Sequence, residues 1–371
     1  MASYTKRGNT WQYTVSRVVN GKPKPIRKGG FKTKKEAEKA ALQVELDLYN
    51  GLLKHSEAYP LEKYFKSWYE TYKTDITEIS LAAYKTTHTK IVNYFKDQAI
   101  QDISKRMYQQ FLNDMGLKYA KTTNRKMNGF IRSCVKEAID EGLIKTDFTR
   151  AVTVTGLPSK KASEKFLNYD DSKKLMTYLY ANCNGNLEYI MLIIALNTGL
   201  RFGELLGLTI ENIDIKNNVI SIKQQWNYKE GGGFGPLKNE ASERTICVDK
   251  TTMQLFKQQI LKVKNHPKNE NQLVFYCEDS PIQVVTNDRL NDVLRKCLTT
   301  LKIKPIITVH GLRHTHASIS LYKGISVMYV SERLGHATLD ITTSTYSHLI
   351  KELRNKDSKQ TSQIFEQLIT G

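Results

Sequence analysis

The side chains able to do chemistry gather in the C-terminal half of the chain. Arg201 sits in Asn197-Thr198-Gly199-Leu200-Arg201-Phe202-Gly203-Glu204-Leu205-Leu206-Gly207-Leu208, between two apolar stretches. A guanidinium in such a place needs an anion or a carboxylate beside it. Glu204, three residues on, is a local partner, so this box alone has a purely structural explanation. A second box, Thr308-Val309-His310-Gly311-Leu312-Arg313-His314-Thr315-His316, packs three imidazoles and a guanidinium together. A third is Leu334-Gly335-His336, followed ten residues later by Tyr346 within Thr342-Thr343-Ser344-Thr345-Tyr346-Ser347-His348-Leu349. His310 and His314 would share one helix face, as a zinc pair does, and His316 adds a third imidazole. No Glu follows His310, however, and Arg313 would set a cation beside the metal, so neither a metal nor any other cofactor is expected. Tyr346 is one of 20 tyrosines, and a tyrosine without context is a packing residue.

The context is the order of the boxes. TGLRxxELLxL, then HxLRHTHAS, then LGHxxxxxxTxxYxH resembles the tyrosine recombinase (phage integrase) family. The resemblance implies that Tyr346 attacks a DNA phosphate, forming a 3′-phosphotyrosyl bond and releasing a 5′-hydroxyl, with no ATP or metal. A metal-free phosphodiester exchange needs a side-chain nucleophile, cations on the non-bridging oxygens and an acid for the leaving alkoxide. By the resemblance Arg201 and Arg313 fork onto phosphate oxygens, and His310 and His336 bond those oxygens or assist proton transfer. Lys238, in Leu237-Lys238-Asn239-Glu240-Ala241-Ser242-Glu243-Arg244-Thr245, resembles the family's loop lysine that protonates the 5′-oxygen. Glu204 is expected to position Arg201, and His314 and His316 to support the site or the core. Two arginines close to Tyr346 should favour its ionisation.

The elements that must position these groups divide the chain into three. Residues 1–55 read as a small basic three-stranded sheet plus one helix. Trp11, Tyr13 and Val15 alternate with Gln12, Thr14 and Ser16, Asn20-Gly21 is a hairpin turn, and Lys22 to Lys28 is the return strand, ended by Gly29-Gly30. Residues Ser3 to Arg7 supply the third strand. Thr33-Lys34-Lys35-Glu36 is a capping box ahead of Ala37, Ala40, Ala41, Val44 and Leu48 at helical spacing. The sheet's polar face suits a DNA major groove, with Gln12, Thr14, Ser16, Lys24 and Lys28 as candidate contacts. Residues 60–155 read as all-helical, with cations and hydroxyls at expected helix starts around Lys85-Thr86-Thr87-His88 and Lys121-Thr122-Thr123-Asn124-Arg125. Thr86, Lys121 and Arg125 are the candidate phosphate contacts there. Val152 to Glu164 reads as an exposed linker. Residues 165–371 are mainly helical with a small antiparallel sheet, in which Val219 to Ile222 and Thr245 to Val248 are strands and Gly231 to Pro236 a loose loop. The fold expected is multidomain α+β. By resemblance the three segments are similar to the arm-binding, core-binding and catalytic domains of integrases from phages and integrative elements. Ile364-Phe365-Glu366-Gln367-Leu368-Ile369 has apolar residues at helical spacing, and the resemblance implies a tail that docks on a neighbouring protomer.

Composition agrees with a nucleic-acid partner. The 371 residues carry 56 Lys+Arg against 37 Asp+Glu, a net of +19, and residues 1–55 alone hold +8. The longest apolar stretches, such as Tyr189 to Leu196, are far short of a membrane span. No basic amphipathic helix argues for a membrane surface, and no secretory signal is visible, so the cytoplasm of a bacterial host is the expected compartment. Cys134, Cys183, Cys247, Cys277 and Cys297 form no CxxC pair, which indicates neither a zinc ribbon nor a disulfide framework. The function implied is a site-specific integrase that inserts and excises a mobile element. It would act as a homotetramer on double-stranded core and arm sites, aided by an excisionase and a host DNA-bending protein. The competing readings are a type IB topoisomerase, which would relax supercoils as a monomer, and a DNA-binding regulator that keeps the fold without the chemistry.

Overall fold

In the computed structural model the structure describes residues 2–19, 22–49, 58–158, 164–347 and 366–367. The chain divides into two compact units, residues 1–159 and 160–371. The Asn20-Gly21 turn, Lys160-Lys161, and the tail except Glu366 and Gln367 lie outside the described residues.

The N-terminal unit opens with β1 (Ala2–Arg7), β2 (Thr10–Val15), the short pair β3 (Val18–Val19) and β4 (Lys22–Pro23), and β5 (Ile26–Phe31). The main sheet has the order β1-β2-β5, antiparallel throughout. The period-two pattern does its work here. Tyr13 and Val15 are buried against Ala41 of α1 (Lys34–Tyr49) and its neighbours Ala40, Val44 and Leu48. The return strand differs from the expectation: it begins at Ile26, not Lys22, and runs through Gly29-Gly30 to Phe31. The register slips by one residue there, between Trp11↔Phe31 and Tyr13↔Lys28, so the two glycines form a bulge instead of a strand end. Thr33 caps α1 by accepting the Glu36 N–H at 3.2 Å, but the Glu36 carboxylate reaches the Lys32 N–H at 3.0 Å, one residue before the expected one.

Four helices follow: α2 (Leu61–Tyr72), α3 (Glu78–Phe95), α4 (Lys105–Lys118) and α5 (Lys121–Asp140). Their core is aromatic, with Phe65, Tyr108 and Phe111 fully buried beside Trp68 and Tyr69. Helix α3 starts well before the expected position. Thr77 caps it, accepting the Ser80 N–H, so Lys85 to His88 lie in mid-helix and offer no free backbone N–H groups. The supposed linker is also partly structure. Val152 and Val154 pack on the helical core, and Thr153 exchanges two 2.8 Å bonds with the Gln109 amide. The buried Asn124 donates to Leu112 and Thr155 carbonyls at 2.9 Å each. Gly116 and Gly156 allow this approach, since a Cβ on either would collide with Thr155 or with the Lys121 backbone.

The C-terminal unit is built on α7 (Leu187–Thr198), which follows α6 (Tyr169–Asn182). Ile190 to Leu196 are all buried, which explains why this helix is apolar on every side. After α8 (Phe202–Leu206) come β6 (Ile213–Asp214), β7 (Val219–Ile222), the pair β8 (Gln225–Trp226) and β9 (Phe234–Gly235), and β10 (Arg244–Cys247). The sheet order is β10-β7-β6, and Ile220 pairs with both Ile246 and Ile213. The glycine loop is not loose: Gly231, Gly232 and Gly233 all take positive φ and turn the chain back so that β9 pairs with β8. Helices α9 (Lys250–Val263), α10 (Asn287–Thr300), α11 (Val309–Tyr322), α12 (Val327–Leu334) and α13 (Leu339–Thr345) follow. A small separate cluster joins Ala317, Leu321, Val330, Leu334 and Tyr346. The observed architecture is α+β, as expected, and among the described residues no helix is long and apolar enough to cross a membrane.

Candidate active site

Two glycine stops set the site. Gly199 ends α7 at φ +67° and Gly335 ends α12 at φ +67°, a conformation that costs a side-chain-bearing residue about 1 kcal/mol or more. Directly after Gly199, Arg201 occupies the N-cap of α8, and its own N–H is accepted by the Glu204 carboxylate at 3.0 Å. Its guanidinium donates to Glu204 at 2.6 Å, to Ser242 Oγ at 3.0 Å and to the Gly335 carbonyl at 2.8 Å. Glu204 is thus the local partner expected, and it holds a second cation as well, Arg244 of β10, at 2.9 Å. Burial would push the Glu204 carboxyl up, but Arg244, then Arg201 and Arg313, outweigh it and hold it below its ordinary value.

Arg313 lies on α11 and is 3% exposed. It donates to the carbonyls of Gly199 at 2.8 Å and Leu334 at 2.6 Å. Arg244 donates through Nε to the Arg333 carbonyl at 2.7 Å. Three guanidiniums therefore take the carbonyls of residues 333, 334 and 335 at the end of α12, the groups a helix leaves without internal partners. Arg201 and Arg313 both retain N–H donors with no partner among the described residues, so each can still fork onto an anion.

The imidazoles separate into distinct roles. His310, at the start of α11, is exposed, and its pKa is lowered by the protein packed around the ring and by Arg313, Arg201 and Lys238. Lys238 itself is exposed on the loop between β9 and β10, close enough for its charge to act on His310. His336 follows the Gly335 stop and its Nδ1 lies 2.6 Å from Thr342 Oγ1. Burial, Arg313 and Arg201 lower its pKa to about 4. His316 points elsewhere. Its Nδ1–H donates to the Leu196 carbonyl at 2.9 Å and its Nε2 accepts from Arg333 at 3.0 Å, which fixes a neutral ring in the wall of the site.

Tyr346 follows α13 directly and is 1% exposed. Its hydroxyl lies 2.8 Å from His314 Nδ1, and the His314 ring in turn meets His310 edge-on at 4.9 Å between centroids. The expectation that nearby arginines favour ionisation of this phenol is corrected here. Burial raises its pKa, and the lowering effect of Arg313 does not offset that. Arg201, His310, Arg313, His336 and Tyr346 are thus gathered around α11 and the α12–α13 turn, with Lys238 at the rim. Sequence reasoning did not single out Arg244, and it expected of His314 only support for the site or the core. Arg244 stands within the lysine-loop string and His314 in the second box, but their partners, Glu204 and the Tyr346 hydroxyl, lie far away in sequence.

The candidate DNA contacts are scattered by comparison. Gln12 and Thr14 lie on the open face of the first sheet, opposite Thr5 and Ser3 of β1. Ser16 is exposed just past β2, and Lys24 is exposed between β4 and β5. Lys28 departs from the expectation. The bulge sets it across from Tyr13, on the side facing α1, and brings Arg27 across from Thr14 instead. Thr86 is exposed on α3 but spends its hydroxyl on the Ala82 carbonyl at 2.8 Å. Lys121 and Arg125 are exposed on the first turns of α5, where the Lys121 N–H is already bonded to the Leu157 carbonyl.

Comparison with known proteins follows this division. The Phage integrase family matches residues 165–352, the Arm DNA-binding domain residues 2–48, and the Phage integrase N-terminal SAM-like domain residues 61–116. The chain is 24% identical over 309 residues to the integrase of Staphylococcus phage L54a, covering 76% of this chain and 85% of that one. It is 25% identical to a tyrosine recombinase XerC-like protein of Caldanaerobacter subterraneus, with 98% of each chain covered. Among solved structures, the Tn1549 transposon integrase in complex with transposon right end DNA matches 82% of this chain and 99% of its own, at TM-score 0.67 and 16% identity. A lambda integrase dimer bound to a core site matches 92% and 93%, at TM-score 0.58 and 16% identity. The boxes, the fold and the family match over half of the chain agree, and the chain belongs to the phage integrase family, the tyrosine site-specific recombinases.

Proposed function

We propose that this recombinase integrates and excises a mobile element by exchanging DNA strands through a 3′-phosphotyrosyl intermediate at Tyr346. The observation that carries the reading is the placement of the Tyr346 hydroxyl beside α11, on which Arg313 and His310 also stand, with Arg201 bonded to the same α12 terminus that Arg313 holds. The scissile phosphate takes the free donors of Arg201 and Arg313, which stabilise the charge that builds on its equatorial oxygens. His310 and His336 line the same anion, and Lys238, on its exposed loop, protonates the departing 5′-oxygen. Glu204 and Arg244 hold Arg201 in place and do not react. The phosphotyrosyl bond conserves the energy of the phosphodiester, so a new 5′-hydroxyl rejoins without ATP or metal.

Residues 1–55 bind arm sites through the open face of the first sheet, with Gln12, Thr14 and Ser16 as contacts, joined by Lys24 and Arg27 and with Lys28 at the strand's far side. Residues 60–155 hold the core site, with Lys121 and Arg125 at the start of α5 and Thr86 along α3 near the phosphates. Residues 165–371 cut and rejoin. The working form is a homotetramer on two double-stranded sites in the host cytoplasm, assisted by an excisionase and a DNA-bending protein.

The test uses a duplex of the insertion junction, mapped by sequencing the parent element's flanks and nicked beside the crossover point so that cleavage traps the adduct. Covalent capture by the wild-type chain and none by Tyr346→Phe is the expected result. Equal capture by both removes Tyr346 as nucleophile, and no capture by either, with DNA still bound, favours a regulator. Relaxation of supercoiled plasmid lacking the junction favours a topoisomerase.

A further inference from the structure

We infer that His314 takes the phenolic proton of Tyr346 as that oxygen attacks phosphorus, which makes it a further catalytic residue at this centre. The inference rests on Tyr346 being the nucleophile. Among the described residues four imidazoles lie near the site, and of these only that of His314 faces the reacting oxygen. The Nδ1 of His336 is engaged by Thr342 and both nitrogens of His316 are engaged by Leu196 and Arg333. His310 meets His314 ring to ring. His314 Nδ1 is 2.8 Å from the Tyr346 hydroxyl, and that hydroxyl has no other hydrogen-bond partner among the described residues.

A buried O–H donates to whatever acceptor is at hand. With the phenol protonated, Nδ1 is that acceptor, and the ring hydrogen therefore resides on Nε2. Helix α11 fixes the ring, because Arg313 beside it is tied at both ends and Thr315 donates to Gly311 while accepting the Leu167 N–H. Burial, then His310, Arg313 and Lys165, lower the His314 pKa to about 4, which keeps the imidazole neutral and ready to accept. Among the described residues, the charged or titratable groups around the pair are His310 and Arg313 on α11, Lys165 ahead of α6, and His336 between α12 and α13. An incoming phosphodiester anion offsets their positive field and so favours the imidazolium.

The step balances. The bond from Tyr346 Oη to phosphorus forms as the bond from phosphorus to the 5′-oxygen breaks. The phenolic proton moves to His314 Nδ1, and the 5′-oxygen takes its proton from Lys238. On rejoining, a 5′-hydroxyl attacks, returns its proton to Lys238, and the His314 imidazolium protonates the departing phenolate.

The experiment is single-turnover cleavage of the nicked junction duplex by the full chain, comparing wild type with His314→Asn, which can still hydrogen-bond from near the Nδ1 position but accepts no proton. The expected result is a cleavage rate lower by about 10²- to 10³-fold at unchanged duplex affinity. The variant's rate should climb with pH towards the phenol's own ionisation, and a fluorinated tyrosine at position 346, being more acidic, should restore most of the loss. A His314→Asn rate near that of wild type overturns the inference. So does a loss that neither alkali nor fluorination relieves, because that pattern marks a packing role. Nitrogen-15 NMR of the wild-type chain gives a check that needs no variant: an unprotonated Nδ1 supports the inference, and a protonated Nδ1 overturns it. Covalent capture by Tyr346→Phe would instead bring down the nucleophile assignment itself.

Discussion

Replacing Glu204 by alanine tests whether one carboxylate organises the cations of this site. Glu204 is 1% exposed and neutralises two guanidiniums directly, Arg201 at 2.6 Å and Arg244 at 2.9 Å, with Arg313 also within its field. Arg244 is almost as buried as its partner, so it cannot turn to water when the carboxylate goes. Removing one member of such a buried pair costs about 3–5 kcal/mol, since the surviving charge is left without compensation. For a unit of this size, each kcal/mol corresponds to roughly 2–4 °C, so melting should fall by about 6–20 °C. Scanning calorimetry of the full chain reads the shift. Sulfate or phosphate should recover part of it, because the orphaned guanidiniums will bind an anion. The pH dependence has a definite sign. The folded carboxyl gives up its proton more readily than the unfolded one, whose value is near the ordinary 4.5. Its stabilisation is therefore complete above that pH and fades as pH drops through the lower folded value. Glu204→Gln should lack this acid limb while keeping much of the packing. A melting change of less than about 2 °C for Glu204→Ala would refute the argument, since it would mean that the guanidiniums never depended on this carboxylate.

Three other outcomes are expected. Gly199→Ala should destabilise by about 1–3 kcal/mol in denaturant titration, since φ is +67° and a Cβ would meet His316 at 2.8 Å and Leu334 at 2.9 Å; the same change at Gly129, whose Cβ position is open, should be neutral or stabilising. Asn124→Ala should cost about 2–4 kcal/mol by removing two buried bonds, and hydrogen exchange should show residues 152–157 opening first. Arg27→Ala should weaken arm-site binding and reduce the salt slope by about 1, whereas Lys28→Ala, across the sheet, should leave the slope nearly unchanged; equal effects would contradict the register at the bulge.

The sequence made legible whatever depends on local chemistry. Gly199 as a helix stop, Arg201 opening the next helix, the Glu204 contact and the strand Val219–Ile222 all follow from short-range rules, and all appear in the structure. Long-range pairing was less accessible. Val152 to Thr155 has a linker's composition, and only Asn124, distant in sequence, reveals that it is held down. The start of α3 was missed because its first turns carry no apolar period and only the Thr77 cap marks them. Gly29-Gly30 reads as a strand end and serves as a bulge, which exchanges the faces of Arg27 and Lys28. At the site, the boxes named the cations and the tyrosine, yet gave no hint that burial would hold the phenol protonated or that His314 would meet it. Those facts depend on how Tyr346, just past α13, packs against α11 and α12, which spacing along one chain does not encode.

The last turn of α12 has a consequence for how this protein can change over generations. Beside their other partners, Arg201, Arg244 and Arg313 each donate to a main-chain oxygen at positions 333–335. Drift in the identity of Leu334, or of the exposed residues along α12, leaves those oxygens where they are. A single inserted or deleted residue in that turn would instead rotate each oxygen by about 100° around the helix and take one partner from each of the three cations together. Length, more than lettering, is what heredity must guard there.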